Sequence, residues 1–334
     1  MTASCDAAAG RRGRLMGATA RRIVAIGGGH GLSRVLLACR RLGVEPTAVV
    51  TVADDGGSSG RLRRDLGIIA LGDLRMALLA LARAEPLAEV LAHRFERGHL
   101  EGHALGNLLL VALTEGTHGD VVAALRRAET LLDCAGSVLP STLEPVHIAA
   151  RVAGTRVNGQ ATITRTRGHL ESIWLEPHDP PACADAVAAV EAADAVVLGP
   201  GSLYTSVIVN LLVPDLRRAV YLTDARLVHV ANVHAPPGES AHMSLDDHIE
   251  QLHVALGGRC IDVVVMHDGP RPEGPGGPLL PITDLDGVAD VVTADLLPRD
   301  DRGRVGAAAH DPARLAPALD RALATSPGPV TTPS

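Results

Sequence analysis

Residues 21–53 read RRIVAIGGGHGLSRVLLACRRLGVEPTAVVTVA, and this stretch decides the fold. A short apolar run, 23–26, ends in the glycine-rich sequence GGGHG at 27–31. Residues 32–39 then carry apolar side chains at helical spacing, and 48–53 is a second apolar run, typical of a buried parallel strand. A strand, a glycine-rich turn, a helix and a second strand make a βαβ unit. This unit predicts an α/β protein with a Rossmann-like, doubly wound and mostly parallel sheet.

The alternation of helix and strand is interrupted once along the chain. Residues 73–132 are rich in Leu and Ala and are predicted to be mainly helical, whereas 137–176 alternates polar and apolar side chains. Within that second segment, the runs 146–152 and 162–165 are separated by Asn158-Gly159, a dipeptide typical of β-hairpin turns. We therefore expect a small antiparallel β-hairpin insertion at 137–176.

The parallel pattern returns after the insertion and defines the limits of the domain. The periodicity predicts helices and strands in alternation, with helices at 182–192, at 244–256 and from Pro312, and strands at 195–198, 227–230, 261–265 and 288–292. We expect one α/β domain over residues 21–325, preceded by a disordered leader, 1–20, and followed by a disordered tail, 326–334.

The composition excludes several classes of protein. All 31 basic residues are Arg, so the chain has no lysine for a Walker A motif, a Schiff base or pyridoxal phosphate. One Trp, two Tyr and one Phe are too few aromatic side chains for a protein that stacks nucleic-acid bases. The formal net charge of −7 also disfavours binding to polyanions. We therefore expect no nucleic-acid partner.

Nothing in the sequence indicates export or insertion into a membrane. No apolar run approaches the roughly 20 residues that span a bilayer, and the basic N-terminus lacks the apolar region of a signal peptide. The five cysteines are odd in number and form no CxxC pair, which argues against a disulfide framework and a structural zinc site. We therefore expect a cytoplasmic protein without a membrane span.

Two glycine-rich loops follow predicted strands and are candidates for binding a phosphate-bearing cofactor. Ligands of parallel sheets lie at the carboxyl ends of strands, and consecutive amides at a helix N-terminus bind phosphate. The first loop comprises Gly27, Gly28, Gly29, His30, Gly31, Leu32 and Ser33, whose hydroxyl is a further donor. The second loop offers Gly199, Gly201, Ser202 and Thr205. GGGHG alone also suits a plain strand-to-helix turn, because Leu32 stands where GxGxxG has its third glycine.

An acidic loop follows the second strand of the βαβ unit. Asp54 and Asp55 are adjacent there, and Ser58 and Ser59 follow them closely. Carboxylates at this position could accept hydrogen bonds from ribose hydroxyls, or could bind Mg²⁺ together with phosphates. The alternative is a turn that uses Asp and Gly for their backbone preferences.

Two predicted helix starts add further polar candidates. Asp73 is a natural N-cap for the helix that begins at GDLR, 72–75. Arg75 lies in the first turn of that helix, where a positive charge opposes the helix dipole, which indicates a role towards an anion. His103 and Asn107 lie near the second helix start, in GHALGN.

Six motifs, in chain order, resemble those of one protein family. They are IVAIGGGHGLS (23–33), TVADDGGSSGRLR (51–63), GDLR (72–75), EGHALGNLLL (101–110), GPGSLYTSVIVNLLVP (199–214) and NVHAPPGES (232–240). From about residue 22 to about residue 325, the chain resembles the gluconeogenesis factor family, the YvcK-like proteins. That family is homologous to the CofD-type 2-phospho-L-lactate transferases, and the GGSSGRL and GPGSLYTS segments are more similar to the gluconeogenesis-factor branch.

The resemblance implies a cytoplasmic Rossmann-like protein whose ligand carries a nucleoside diphosphate. That ligand would be a nucleotide sugar such as UDP-N-acetylglucosamine, or a nicotinamide dinucleotide, NAD(P), in the same type of cleft. The resemblance implies that the two glycine-rich loops, with Asn232, hold the nucleotide, and that the acidic loop faces the sugar or the transferred group. The implied role is in cell shape and wall synthesis during gluconeogenic growth, with a homodimer and cell-wall synthesis proteins as partners.

Two alternatives and three departures from the family pattern accompany this interpretation. The transferase branch moves a phospholactyl or phosphoenolpyruvyl group onto a deazaflavin with Mg²⁺, and Asp54 and Asp55 would then be catalytic and bind the metal. An NAD(P) oxidoreductase is disfavoured, because the third Rossmann glycine is missing and no hydride-site acid or base is evident.

The residues that depart from the family pattern lie in three of its motifs. His30 replaces the usual Thr or Asp, Met76 replaces the Asn of GDxRN, and Ala309 replaces a basic residue before His-Asp.

Overall fold

The computed structural model describes residues 21–166, 168–234, 238–240, 243–270, 288–300, 305 and 309–324. The leader predicted at 1–20 and the tail predicted at 326–334 lie outside these residues. The helices are, in chain order, α1 (Gly29–Arg41), α2 (Gly57–Leu66), α3 (Gly72–Leu81), α4 (Glu85–Ala92), α5 (Leu105–Gly116), α6 (Val121–Leu132), α7 (Gln160–Ile163), α8 (Ala184–Glu191), α9 (Val209–Leu211), α10 (Pro214–Leu222), α11 (Leu245–Ala255) and α12 (Pro312–Ala324). A 3-10 turn spans Gly98–Leu100 and a π-helix spans Leu203–Ile208.

The main sheet has seven strands in the order β10-β9-β8-β7-β1-β2-β3, and every neighbouring pair is parallel. These strands are β1 (Ile23–Gly27), β2 (Thr47–Val50), β3 (Ser137–Pro140), β7 (Ala195–Leu198), β8 (Arg226–Val230), β9 (Val263–His267) and β10 (Asp290–Ala294). All five residues of the central strand β1 are buried, as its apolar sequence requires for a strand covered on both faces.

The strand order reverses beside β1, and this places the site. From β1 the chain adds β2 and β3 on one side, and later adds β7 to β10 in turn on the other side. β1 therefore pairs with both β2 and β7, so the loops that leave these three strands meet at one switch point. The predicted doubly wound, mostly parallel α/β fold is confirmed.

A separate three-stranded antiparallel sheet, in the order β5-β4-β6, follows the first half of the main sheet. Its strands are β4 (His147–Val152), β5 (Thr155–Asn158) and β6 (Leu170–Glu176). The predicted insertion bounds of 137–176 are too wide, because Ser137–Pro140 pairs with β2 in the main sheet.

The hairpin turn also lies elsewhere than predicted. β4 and β5 are joined at Ala153 and Gly154, which adopt φ values of 47° and 76°, as a tight two-residue turn between twisted strands requires. Asn158 instead ends β5, and Gly159 precedes the short helix α7. The run predicted as a strand at 162–165 therefore begins within α7.

The structure contains elements that the sequence patterns did not predict. GGSSG, taken as part of a loop, begins the ten-residue helix α2, and GSLYTS leads into the π-helix. The predicted helices at 182–192, at 244–256 and from Pro312 are confirmed as α8, α11 and α12, whereas β9 and β10 begin two residues later than predicted.

Two further observations concern the helices and the cysteines. Of the helices in the part of the chain that the structure describes, none combines the length and the apolarity needed to cross a membrane. Cys39, Cys134 and Cys183 are free thiols, but Cys260 is disulfide-bonded, which the odd number and scattered positions of the cysteines did not predict.

Candidate functional site

The two glycine-rich loops lie in direct contact at the switch point. The first loop runs from the end of β1 into α1, and the second leaves β7. A Cβ atom at Gly31 would lie 2.1 Å from the carbonyl oxygen of Pro200 and 3.0 Å from the amide nitrogen of Gly201. Because these neighbours are backbone atoms, only glycine allows α1 to begin this close to the second loop.

The first loop places its predicted residues in different environments. Gly27 ends β1, Gly28 precedes α1, and Gly29 begins that helix with its amide facing a carboxylate. His30 is exposed, whereas Leu32 is buried in the core and contributes packing rather than a polar group. The hydroxyl of Ser33 lies 3.1 Å from the carbonyl oxygen of Gly29 and 3.5 Å from that of Met76 in α3, so protein carbonyls already accept from it.

Asp73 lies against the first loop rather than capping its own helix. Leu71 is the N-cap of α3, and Asp73 is the second helical residue. The amide of Gly29 donates to the Asp73 carboxylate, and a Cβ atom at Gly28 would lie 2.5 Å from Asp73 Oδ2. Burial, and then the negative charge of Asp54, raise the pKa of Asp73 to about 7.

Asp54 is the carboxylate that neighbours Asp73. The side chain of Asp54 accepts from the amide of Gly56 at 3.0 Å, and its Oδ2 lies 3.1 Å from the Cβ position of Gly72. Two adjacent carboxylates, one with a raised pKa, form a donor set that suits a hard divalent cation. Within the described ranges, no group of three or more His, Cys, Asp or Glu side chains could hold a metal ion.

Asp55 is used differently from its neighbour. Its Oδ1 accepts from the amide of Ala161 at 2.9 Å, at the start of α7. The adjacent pair predicted to bind Mg²⁺ therefore divides, with Asp54 facing Asp73 and Asp55 holding the antiparallel insertion. The other end of α7 reaches the second loop, where Thr164 Oγ1 lies 3.3 Å from Thr205 Oγ1.

Arg63 is a buried residue that the sequence patterns missed. Its guanidinium donates to the carbonyl oxygen of Asp54 at 3.1 Å and to that of Val146 at 2.6 Å. Burial lowers the pKa of Arg63, while Asp55 and Asp54 raise it. Arg63 therefore joins the acidic loop to the insertion, and no local signal distinguishes it from Arg61 or Arg64 in the same sequence, GRLRR.

The second loop already has internal partners for several of its amides. The amide of Gly201 donates to Asn232 Oδ1 at 2.9 Å, and Asn232 Nδ2 donates to the carbonyl oxygen of Gly201 at 2.7 Å. Glu239 Oε1 accepts from the amides of Tyr204 and Thr205 at 3.1 and 3.4 Å. Asn232 thus orders the loop, and Thr205 bonds to protein groups through both its amide and its hydroxyl.

Glu239 is a second residue that the sequence patterns missed. It is 4% exposed, its Oε2 atom has no hydrogen-bond partner, and burial raises the pKa of its carboxyl group. The only local signal was its position in the motif NVHAPPGES, where it follows a glycine. A carboxylate therefore stands at the start of the π-helix, where we expected a ligand phosphate.

The first turns of α2 and α5 bring three predicted residues together. Ser58 Oγ lies 3.1 Å from His103 Nδ1 and accepts from Asn107 Nδ2 at 3.0 Å. Burial, and then the positive charges of Arg61 and Arg94, lower the pKa of His103. Ser59 lies on the opposite side, with its Oγ 2.3 Å from the Cβ position of Gly72.

Arg75 lies beside this group, in the first turn of α3. Its aliphatic stem packs on α5, where Cδ is 2.9 Å from the Cβ position of Gly106. The structure therefore assembles the first loop, Asp54, Asp73, Arg75 and the α2–α5 group at one edge of the sheet. The second loop forms the adjoining wall, and its predicted residues Gly199 and Ser202 lie there.

The chain is similar to a known family over most of its length. The sequence model of the family described as 2-phospho-L-lactate transferase CofD matches residues 23–275. A relative from Mycobacterium tuberculosis (strain H37Rv) is 43% identical over 319 residues, covering 92% of this chain and 91% of the relative. A relative from Bacillus subtilis (strain 168), named gluconeogenesis factor, is 40% identical over 255 residues, covering 75% and 80%.

A solved structure agrees with this assignment. The crystal structure of a UPF0052 family member from Bacillus halodurans superposes with a TM-score of 0.83 at 33% identity, covering 90% of this chain and 98% of that one. The chain therefore belongs to the CofD family, and within it to the group of the gluconeogenesis factors.

Proposed function

We propose that this protein binds a nucleotide sugar at the first glycine-rich loop and acts as a regulator of cell shape and wall synthesis during gluconeogenic growth. The observation that carries the proposal is the contact of the two loops at the switch point, where Gly31 lies against Pro200. Ligands of doubly wound sheets bind in the crevice at such a point. The kinship with gluconeogenesis factors supports the biological part of the proposal.

The diphosphate would lie at the N-terminus of α1. The amides of His30 and Gly31 belong to the first turn, so the helix offers them no carbonyl four residues earlier, and the helix dipole favours an anion there. At the second loop, by contrast, Asn232 and Glu239 already use the amides of Gly201, Tyr204 and Thr205. The second loop would thus shape the wall of the site rather than grip phosphate with those three amides.

A divalent cation fits the site on the chemistry of its donors. Asp54 and Asp73 would hold Mg²⁺, because two neighbouring carboxylates supply the oxygen ligands that this ion prefers. When bound, the cation would neutralise charge on the diphosphate and on both carboxylates. Asp55, whose side chain holds α7, is assigned no metal-binding role in this proposal.

Calorimetry with UDP-N-acetylglucosamine, with and without Mg²⁺, tests the proposal. We expect binding to the folded protein that strengthens with Mg²⁺. Gly28→Ala should abolish it, because the new methyl group would meet Asp73 and the methyl of Thr51, 2.7 Å away. Gly116→Ala is the matched control, since its methyl group would meet only Arg127 at 3.8 Å. Absence of heat at millimolar ligand, with UDP-N-acetylglucosamine and with NAD⁺, would refute nucleotide binding.

A transferase is the second candidate, and two observations favour it. The matching family is described as a 2-phospho-L-lactate transferase, and the Asp54–Asp73 pair suits an Mg²⁺ ion that positions a transferred group. The test is turnover of a deazaflavin with a guanylated phospholactate or phosphoenolpyruvate donor. Asp73→Asn should remove turnover, whereas Asp65→Asn, at an exposed residue of α2, should retain it.

A further inference from the structure

We infer that the ligand carries a second anionic group, a carboxylate or a phosphate at the end remote from the nucleoside, and that Arg75 and Arg94 bind it. The inference rests on the proposed nucleotide-sugar site and narrows its ligand class. It predicts a preference for nucleotide sugars with an acidic sugar over those with a neutral one.

Arg75 carries a guanidinium group without a partner. Across the described residues it makes no hydrogen bond and no ion pair, and its Nε atom is buried without an acceptor. A buried guanidinium nitrogen without an acceptor is costly, so such a group indicates a missing ligand. The stem of Arg75 is fixed against Gly106, which limits how far the charged end can swing away from the site.

Arg94 places a second guanidinium at the start of α2. Its Nη1 donates to the carbonyl oxygen of Gly102 at 2.5 Å and lies 3.9 Å from the Cβ position of Gly57. Arg94 is close enough to Arg75 to disfavour its charge, and Arg61 and Arg94 both disfavour protonation of His103. The contacts agree with this, because Arg94 bonds to Gly102 and Arg75 packs on Gly106, so the two side chains flank residues 102–106 at the start of α5. Among the residues that the structure describes, no carboxylate forms an ion pair with Arg75 or Arg94.

The carboxylates near Arg75 do not form ion pairs with it. Asp73 and Asp54 favour the charge of Arg75, but neither lies within ion-pair distance of it. In the proposed site these two carboxylates face the diphosphate and its cation. The positive charges of the two guanidinium groups would then be neutralised by an anionic group of the ligand.

The surroundings suit an oxyanion. The first turn of α2 begins at Gly57, beside Arg94, and directs the positive end of a ten-residue helix there. Ser58 is held between His103 and Asn107 and is therefore fixed in position. The planar N–H donors of two guanidinium groups match the oxygens of a carboxylate or a phosphate. A sugar hydroxyl is neutral and would not neutralise their positive charge.

The test compares UDP-glucuronate with UDP-glucose, which differ only in a carboxylate and a hydroxymethyl group at the same carbon. We expect UDP-glucuronate to bind the wild-type protein about 10- to 100-fold more tightly in calorimetry, as charge-assisted hydrogen bonds allow. Arg75→Met and Arg94→Met should each bring the affinity ratio of the two ligands close to one. Arg64→Met, at an exposed residue in the last turn of α2, should keep the wild-type ratio.

The outcomes separate this inference from the proposed function. If both ligands bind equally well to the wild-type protein, the inference is overturned while nucleotide-sugar binding stands. If neither binds, the proposed function fails, and the inference fails with it. Arg94 is exposed, so Arg94→Met tests the preference even if Arg75→Met does not fold. A ratio that Arg94→Met and Arg64→Met change equally would also overturn the inference.

Discussion

Replacement of Gly31 by Ala tests the contact on which the whole site depends. Gly31 lies in the first turn of α1 and its φ is not left-handed, so Ala would by propensity alone favour the helix by about 1 kcal/mol. The new Cβ atom, however, would lie 2.1 Å from the carbonyl oxygen and 2.6 Å from the carbonyl carbon of Pro200. To reach an ordinary contact of 3.4 Å, the two loops must separate by more than 1 Å.

The size of this separation sets the expected loss of stability. Overpacking of a buried contact costs about 1–3 kcal/mol, and the backbone on both sides leaves no flexible side chain to move away. We expect Gly31→Ala to lower the free energy of unfolding by about 1–3 kcal/mol, or roughly 2–4 °C in melting temperature for each kcal/mol. Because the first loop must also move, we expect binding of UDP-N-acetylglucosamine to be lost.

Urea and thermal unfolding, followed by circular dichroism, measure the change in stability. Gly116→Ala, at the last residue of α5, is the matched control, because it adds the same methyl group with only an ordinary contact at 3.8 Å. We expect this control to be as stable as the wild type or slightly more so. If Gly31→Ala is as stable as Gly116→Ala and binds ligand equally well, the two loops do not meet as described.

Three further predictions concern stability. The free energy of unfolding should fall from pH 6.5 towards pH 4, because burial lowers the pKa of His229 to about 3 and of His248 and His310 to about 4. The unfolded chain takes up these protons near pH 6.5, so each histidine contributes about 1.4 kcal/mol per pH unit in that window and nothing further above it. The raised pKa values of Asp73 and Glu239 oppose this fall over the same range, so the test compares urea titrations of the wild type with those of His248→Gln. The variant should lose stability less steeply towards pH 4, and equal slopes would contradict the burial of His248. Glu239→Ala should cost about 1–3 kcal/mol in the same assay, because the π-helix loses a buried acceptor for two of its amides. Arg63→Met should cost about 2–3 kcal/mol and speed limited proteolysis of the antiparallel insertion, since two buried carbonyl groups lose their donor; unchanged proteolysis would show that the insertion is held elsewhere.

The fold could be predicted because its signals are local. The apolar run of β1, the glycines after it and the helical spacing of α1 lie within twenty residues of one another, and each step agrees with the next. α2 could not be predicted in the same way. Its first four residues are two glycines and two serines, which have poor helix propensity, and the helix forms because its inner face packs on the rest of the protein through Leu62 and Arg63.

The sequence predicted those parts of the candidate site that directly follow a strand. The edge of the sheet, the first loop and the carboxylate of Asp54 follow from the order of strands and turns. The partners of Asp55 and Glu239 do not, because Asp55 and Ala161 are separated by 106 positions and Tyr204 and Glu239 by 35. A carboxylate in an acidic loop carries no local sign of whether it will meet a metal ion, a ligand or a distant amide.

These long-range bonds also give the two glycine-rich loops different hydrogen-bonding capacity for a ligand. At the second loop, Glu239 takes two amides, and Asn232 bonds both polar backbone groups of Gly201, so a phosphate there would have to displace buried protein groups. At the first loop, Asp73 accepts from the amide of Gly29, whereas the amides of His30 and Gly31 lie in the first turn of α1, which has no carbonyl four residues earlier for them. A proton or a cation can neutralise that carboxylate, because burial and Asp54 hold its pKa near 7. An anionic ligand could therefore approach α1 without expelling a buried charge, and for this reason we propose the first loop rather than the second as the diphosphate site.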